Sequence, residues 1–493
     1  MPTKLVEWAY PWACFTYAYQ AGWVGLMVYS LSSGLPVLLI AFLGTFIRNK
    51  IPNIMSFSDY VLRRFGWPVQ LWVSALMLLN MGISITAEYT AMGDYFAIIL
   101  GSTRVPIVIV VGVLSSIYTA YGGLYVSIVT DQIQAVLSVV LILVMCIFVA
   151  VTFRKELPSP LPSNLSGDNY YGFASIAVLP ISLASASVYS EALWQRCWAG
   201  ASNRKLLIGA SLASFFIIIA VFIFGFLGFL AIWSGLWTYD YEDPSTQSVI
   251  LFDVLNVDGQ KIWLLTLVGC LAVTMSTSLI DSYQNGIVDN ISGVYLRGQN
   301  VLWTRALVLI LNVPCIVTSL QGYNILNLFL LANLITTTST LPVLAGLIKH
   351  PWAHRIVTPA TMLFGCWLSF ASLCIWSKAK AADWHLTTAQ AIHKTFFENY
   401  DWPPFVLALG ISVLGMAIMA VVENIFRTSL CKRFPRLAYS DERVKKLHEA
   451  HPLPVHLDLG VKEKLAHLDV PGKPAKLAPE DEIDLPHSPK LDQ

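Results

Sequence analysis

Residues 206–234 read LLIGASLASFFIIIAVFIFGFLGFLAIWS, a run without a single charged side chain. About 20 predominantly apolar residues are enough for an α-helix to cross the hydrocarbon core of a bilayer. Working outward, runs of the same kind occupy 23–47, 69–92, 105–121, 131–153, 173–198, 261–285, 301–320, 323–348, 356–377 and 403–426. A shorter, more aromatic segment precedes them at 5–21. This pattern predicts an all-α polytopic membrane protein with roughly a dozen helices.

Composition agrees. The chain has 493 residues, 56% of them hydrophobic and 12% charged. A soluble domain carries about 25% charged residues, so there is too little polar surface here to cover a water-soluble globule. The lipid bilayer is therefore the first expected partner. The formal net charge of +1 gives no electrostatic reason to expect nucleic acid. The sequence contains no HExxH, no GxSxG and no Cys/His metal spacing, so an enzyme, a cofactor or a resident metal centre is not expected. The eight cysteines form no CxxC pair and read as small hydrophobes.

Charge alternates between the loops. Arg48, Lys50, Arg63 and Arg64, then Arg204 and Lys205, then Arg297 and Arg305, then Lys349, His350, His354 and Arg355 form a basic set. Asp168, then Asp240, Glu242 and Asp243, then Asp383, Glu398 and Asp401 lie in the other set. Basic loops face the cytoplasm, and the tail opening with Arg427, Lys432, Arg433 and Arg436 falls on that side. An integral plasma-membrane protein with a cytoplasmic C-terminus is expected. Asn164 lies in an Asn-Leu-Ser sequon on the opposite face, a candidate glycosylation site. Residues 427–493 are rich in Pro and charge with little apolar periodicity, and read as a largely disordered tail.

Ionisable groups inside apolar runs are costly and need a partner or a task. Glu88, Asp94, Asp131, Glu191, Arg196 and Asp281 are the main ones. Asp94 reads as interfacial and Arg196 as lying near the cytoplasmic edge; Glu88, Glu191 and Asp281 read as deeper. Residues 117–134, IYTAYGGLYVSIVTDQIQ, suggest that Gly122-Gly123 breaks a helix and that Thr130-Asp131 starts the next. Asp131 is then either a cap or a cation ligand. Residues 271–286, LAVTMSTSLIDSYQNG, place Ser276 and Thr277 side by side. Two hydroxyls suit a hard cation, which wants oxygen ligands; small hydroxyl residues also serve plain helix packing. In 180–191, PISLASASVYSE, Pro180 and the small residues allow a discontinuous helix, leading into Trp194-Gln195-Arg196. Thr336–Thr340, TTTST, follows Asn333 and could line a wet cavity or satisfy the backbone.

Taken together, the tyrosine-rich helix end, Gly-Gly turn and Thr-Asp-x-x-Gln start, the Met-Ser-Thr triplet and the Gln-Arg ending resemble the sodium/solute symporter family (the sodium/proline, sodium/glucose and urea-type symporters). The resemblance implies a five-plus-five inverted-repeat, leucine-transporter-like core over 1–350, additional helices over 351–426 and a tail over 427–493. It implies a shortened N-terminal end, with 5–21 as an incomplete first core helix. It implies sodium-coupled symport of a small polar organic solute by alternating access. Ser276 and Thr277 would ligate sodium by their hydroxyls and Val273 by its carbonyl, with Asp131 on the inward sodium path. Ser190, Glu191, Glu88 and Asn333 are the substrate-side candidates. Proton coupling, and a transporter-like receptor, scaffold or inactive form that moves nothing, are the alternatives.

Overall fold

The computed structural model describes residues 9–51, 54, 56–99, 101–200, 202–236, 254–255, 262–296, 301–348, 356–397 and 400–430. Among them every long element is a helix. Of the predicted tail, 427–430 continue the last helix and 431–493 lie outside the described residues, as do Arg297, Lys349, His350, His354 and Arg355 of the basic set and Asp240, Glu242, Asp243 and Glu398 of the acidic set.

The first helix, α1, runs Ala9–Lys50 and departs from helical geometry at Gly22 alone (φ 56°, ψ −149°). The predicted segments 5–21 and 23–47 thus meet at that one residue. A Cβ at Gly22 would stand 2.5 Å from the Leu165 carbonyl oxygen. Leu165 belongs to α5 (Ser163–Ser166). Next come α2 (Phe57–Phe65), capped by the Ser56 hydroxyl accepting from the Asp59 amide at 3.0 Å, and α3 (Trp67–Asp94). One π-helical turn, Tyr95–Ile99, follows.

The helix α4 runs Arg104–Thr152 without a break, 49 residues in all. This overturns the expected interruption at Gly122-Gly123 and the helix start at Thr130-Asp131. Thr130 donates its hydroxyl to the Ser127 carbonyl at 3.0 Å, as a residue inside a helix does, and caps nothing. Two glycines cost a helix about 2 kcal/mol. Polar links to a neighbouring helix on both sides of the pair, described below, offset that cost. α4 still carries two apolar spans, Arg104–Tyr121 and Val129–Thr152.

The predicted run 173–198 is two helices, α6 (Tyr170–Val188) and α7 (Glu191–Trp198). The break falls at Tyr189-Ser190, and Pro180 lies inside α6. The expected discontinuity is therefore present, but the proline does not make it. Trp194 on α7 donates its indole N–H to the Val188 carbonyl at 2.8 Å, satisfying one group the break frees.

The remainder are α8 (Asn203–Trp233), α9 (Ile262–Val294), α10 (Val301–Ser319), α11 (Ile325–Ala345), α12 (Pro359–Ala381), α13 (Thr388–Phe397) and α14 (Trp402–Leu430). Start signals recur where the chain must turn. Asn169 caps α6, Ser202 caps α8, Asn324 caps α11, and a Thr358/Thr361 capping box with Pro359 opens α12. Ten spans among the described residues are long and apolar enough to cross a membrane, with Leu309–Ser319 as a shorter apolar helix. Their outward faces are apolar: Leu35, Phe42, Ile133, Ile147, Phe215 and Val421 are all exposed. Helices approach closely where glycine faces a neighbour. A Cβ on Gly34 of α1 would come within 2.6 Å of the Ser214 carbonyl oxygen of α8.

Candidate functional site

Ser278, Asp281, Ser282 and Asn285 recur on α9 at the spacing that puts them on one face. That face meets α4 and α7. Asp281 accepts from the Thr119 hydroxyl at 2.5 Å and from the Asn285 amide at 3.0 Å. Gln284 donates to Ser116 at 3.2 Å. Ser278 donates to the Asp131 carboxylate. Thr119 and Asp131 lie on opposite sides of Gly122-Gly123, so α9 braces α4 across its weakest point.

Arg196 of α7 is the hub of this face. Its Nη2 donates to Asp131 Oδ2 and to the Ser282 hydroxyl, both at 2.6 Å, and its Nη1 donates to the Ala192 carbonyl at 3.0 Å. Only 7% of the Arg196 side chain is exposed and none of the Asp131 side chain. Arg196 is thus a buried partner of Asp131. Asp94, expected at an interface, is also buried and pairs with Arg104 at 2.9 Å.

Ser276 faces a different neighbour. Its hydroxyl donates to Glu88 Oε2 of α3 at 2.8 Å. Thr277, half-buried, donates to the Val273 carbonyl at 2.5 Å, one turn back on α9. The three oxygens named for sodium therefore lie on one turn of helix, and Glu88 contacts Ser276 among them. Their chemistry fits a hard cation, since all are oxygens. Asp131 sits on the other face of α9, held by Arg196.

The remaining candidates are dispersed. Ser190 and Glu191 mark the break before α7. Both Glu191 oxygens are buried without a hydrogen-bond partner among the described residues. Asn333 lies on α11, where its carbonyl accepts from Thr336 at 3.0 Å and Thr337 at 2.6 Å. Thr338 and Thr340 bond the Ile335 and Thr336 carbonyls, so these threonines satisfy the backbone. The Asn164 side chain lies outside the described residues.

The Arg196–Asp131 pair and its serines were not paired by sequence reasoning. The partners stand 65 residues apart, and only the cost of two lone charges in apolar runs pointed to a pair.

The sodium:solute symporter family model matches residues 12–233. Over that segment the chain matches the sodium:solute symporters. The spermidine transporter DUR31 of Candida albicans is 29% identical over 330 residues, 66% of this chain and 62% of that protein. Solute carrier family 5 member 4A of Mus musculus is 29% identical over 125 residues, 24% of this chain and 19% of that protein. The chain thus spans less than two thirds of the length of either relative. A Na+-coupled sialic acid symporter, in a substrate-bound outward-open state, superposes with a TM-score of 0.56 at 15% identity, covering 84% of this chain and 89% of that one. Mhp1, a nucleobase-cation-symport-1 family transporter in a closed conformation with bromovinylhydantoin bound, gives 0.51 at 15% identity, covering 90% and 96%. At that identity the likeness establishes the fold, which is leucine-transporter-like. The matched segment contains Asp131, Glu191 and Arg196; Ser276 lies beyond it.

Proposed function

We propose that the chain is a secondary transporter that couples inward movement of sodium to uptake of a small polar organic solute by alternating access. The observation that carries the proposal is the turn of α9 on which Ser276, Thr277 and the Val273 carbonyl gather oxygen ligands, in a chain that matches the symporter family. Sodium binding there favours one arrangement of the helices over another, and the bound ion leaves past Asp131. Arg196 already holds that carboxylate, so the departing ion exchanges places with the guanidinium. A transporter core over 1–350, a plasma-membrane location, a cytoplasmic C-terminus and glycosylation at Asn164 complete the proposal.

Spermidine is the first solute to test, since a relative is named for it. Uptake of labelled spermidine, urea, proline and sugars is measured in cells expressing the chain, in sodium and in choline. Sodium is expected to stimulate uptake of one of them. The combined Ser276→Ala and Thr277→Ala variant is expected to reduce that stimulation at least about 10-fold, a loss of about 1.4 kcal/mol in coupling free energy. The absence of sodium-stimulated uptake across the panel, or full stimulation in the variant, defeats the proposal. Stimulation by a proton gradient in place of sodium assigns the coupling to protons.

A further inference from the structure

Three of the polar links between α9 and α3, or Tyr95 just beyond it, keep a near-constant antiparallel register. Ser74 donates to Asn290, Ser276 donates to Glu88, and Tyr95 donates to the Leu265 carbonyl. The middle link is the only one of the three that carries a carboxylate. Its neighbours on either side fix the register, so the position of Glu88 against Ser276 is set by the whole helix pair.

We propose that Glu88 is a direct, charged ligand of the coupling cation, binding it together with Ser276 and so bridging α3 to α9. The inference rests on the sodium reading of Ser276 and adds the residue that gives the site its charge. A carboxylate among the hydroxyl and carbonyl oxygens adds a charge opposite to that of the bound cation, an attraction that is strong in a low-dielectric interior. A carboxylate in the ligand shell makes the occupied site neutral. Glu88 is 1% exposed and its Oε2 stands 2.8 Å from the Ser276 oxygen. That separation lets both oxygens approach one cation at distances of about 2.3–2.6 Å, the range that the hard cation Ca²⁺ keeps.

The charge and the hydrogen bond of Glu88 can be separated. Glutamine at 88 still accepts from the Ser276 hydroxyl but carries no charge; aspartate keeps the charge on a shorter stem. The test is binding of ²²Na⁺ to the purified full chain in detergent, which requires no transport. Glu88→Gln is expected to raise the sodium concentration for half-saturation at least about 10-fold, and Glu88→Asp by only about 3-fold. Unchanged binding in Glu88→Gln overturns the inference alone and leaves Glu88 as a holder of the Ser276 hydroxyl. No sodium binding by the unaltered chain overturns both the inference and the sodium reading beneath it. A second measurement uses the unaltered chain, in case the variants do not fold. Labelling of Glu88 by a hydrophobic carbodiimide, read by peptide mass spectrometry, is expected to fall at least about 3-fold in sodium relative to choline; equal labelling overturns the inference.

Discussion

Replacing Arg196 by alanine is expected to destabilise the folded chain by about 3–5 kcal/mol, the usual cost of removing one partner from a buried ion pair. The cause is what stays behind. Asp131 keeps the Ser278 hydrogen bond but loses the guanidinium 2.6 Å away, and its carboxylate stays fully buried. Ser282 and the Ala192 carbonyl lose a donor as well. Asp131→Ala is expected to cost a similar amount, because it strands a buried cation. Together the two changes are expected to cost less than their sum by about 1–3 kcal/mol, since partners in one network couple. Reversible unfolding in mixed micelles, run on the wild type, both single variants and the double variant, measures that coupling. Additive losses show that the two residues do not depend on each other in the fold.

Gly22→Val is expected to leave almost no correctly folded protein. The backbone there (φ 56°, ψ −149°) lies in a region open essentially to glycine alone, and strain of this kind costs about 1–3 kcal/mol. Crowding adds to it. The first new carbon would sit 2.5 Å from the Leu165 carbonyl oxygen and 2.6 Å from the Gly167 nitrogen, both backbone atoms that cannot rotate away. Gly101→Ala is the control: its φ is 62°, but nothing stands within 4 Å of the new carbon. It is expected to lose only the strain part and to remain a monodisperse species on size-exclusion chromatography. Equal yields of the two variants show that crowding at Gly22 has no effect.

The spans were readable because hydropathy responds directly to the bilayer, and they needed no knowledge of neighbours. Connections were harder. Gly122-Gly123 has the propensity of a turn, yet α4 passes through it because α9 holds both sides. The discontinuity before α7 was inferred from Pro180, yet it formed at Tyr189-Ser190, where Ser190 offers no capping bond and the Trp194 indole takes up the freed Val188 carbonyl. The Met-Ser-Thr triplet drew attention to one turn of α9 by its local chemistry. It could not reveal Glu88, which stands 188 residues away in sequence. Local chemistry can be read along a chain, whereas partner choice depends on which helices pack together.

The short helix α7 is tethered to two neighbours. Near its C-terminus, Arg48 of α1 donates to the carbonyls of Cys197 at 2.7 Å, Gly200 at 3.0 Å and Trp198 at 3.2 Å. Along its length, Arg196 and Gln195 grip α9 through Ser282 and the Asn285 carbonyl. The two grips fall on adjacent residues, 195–196 and 197–200, which leaves little slack between them. Any rearrangement that slides α1 past α9 must therefore release one arginine or the other, and the one that lets go decides which helix carries α7 along. Arg196 has a buried anionic partner to lose and Arg48 has only neutral carbonyls, so the cheaper seam to open runs between α1 and α7.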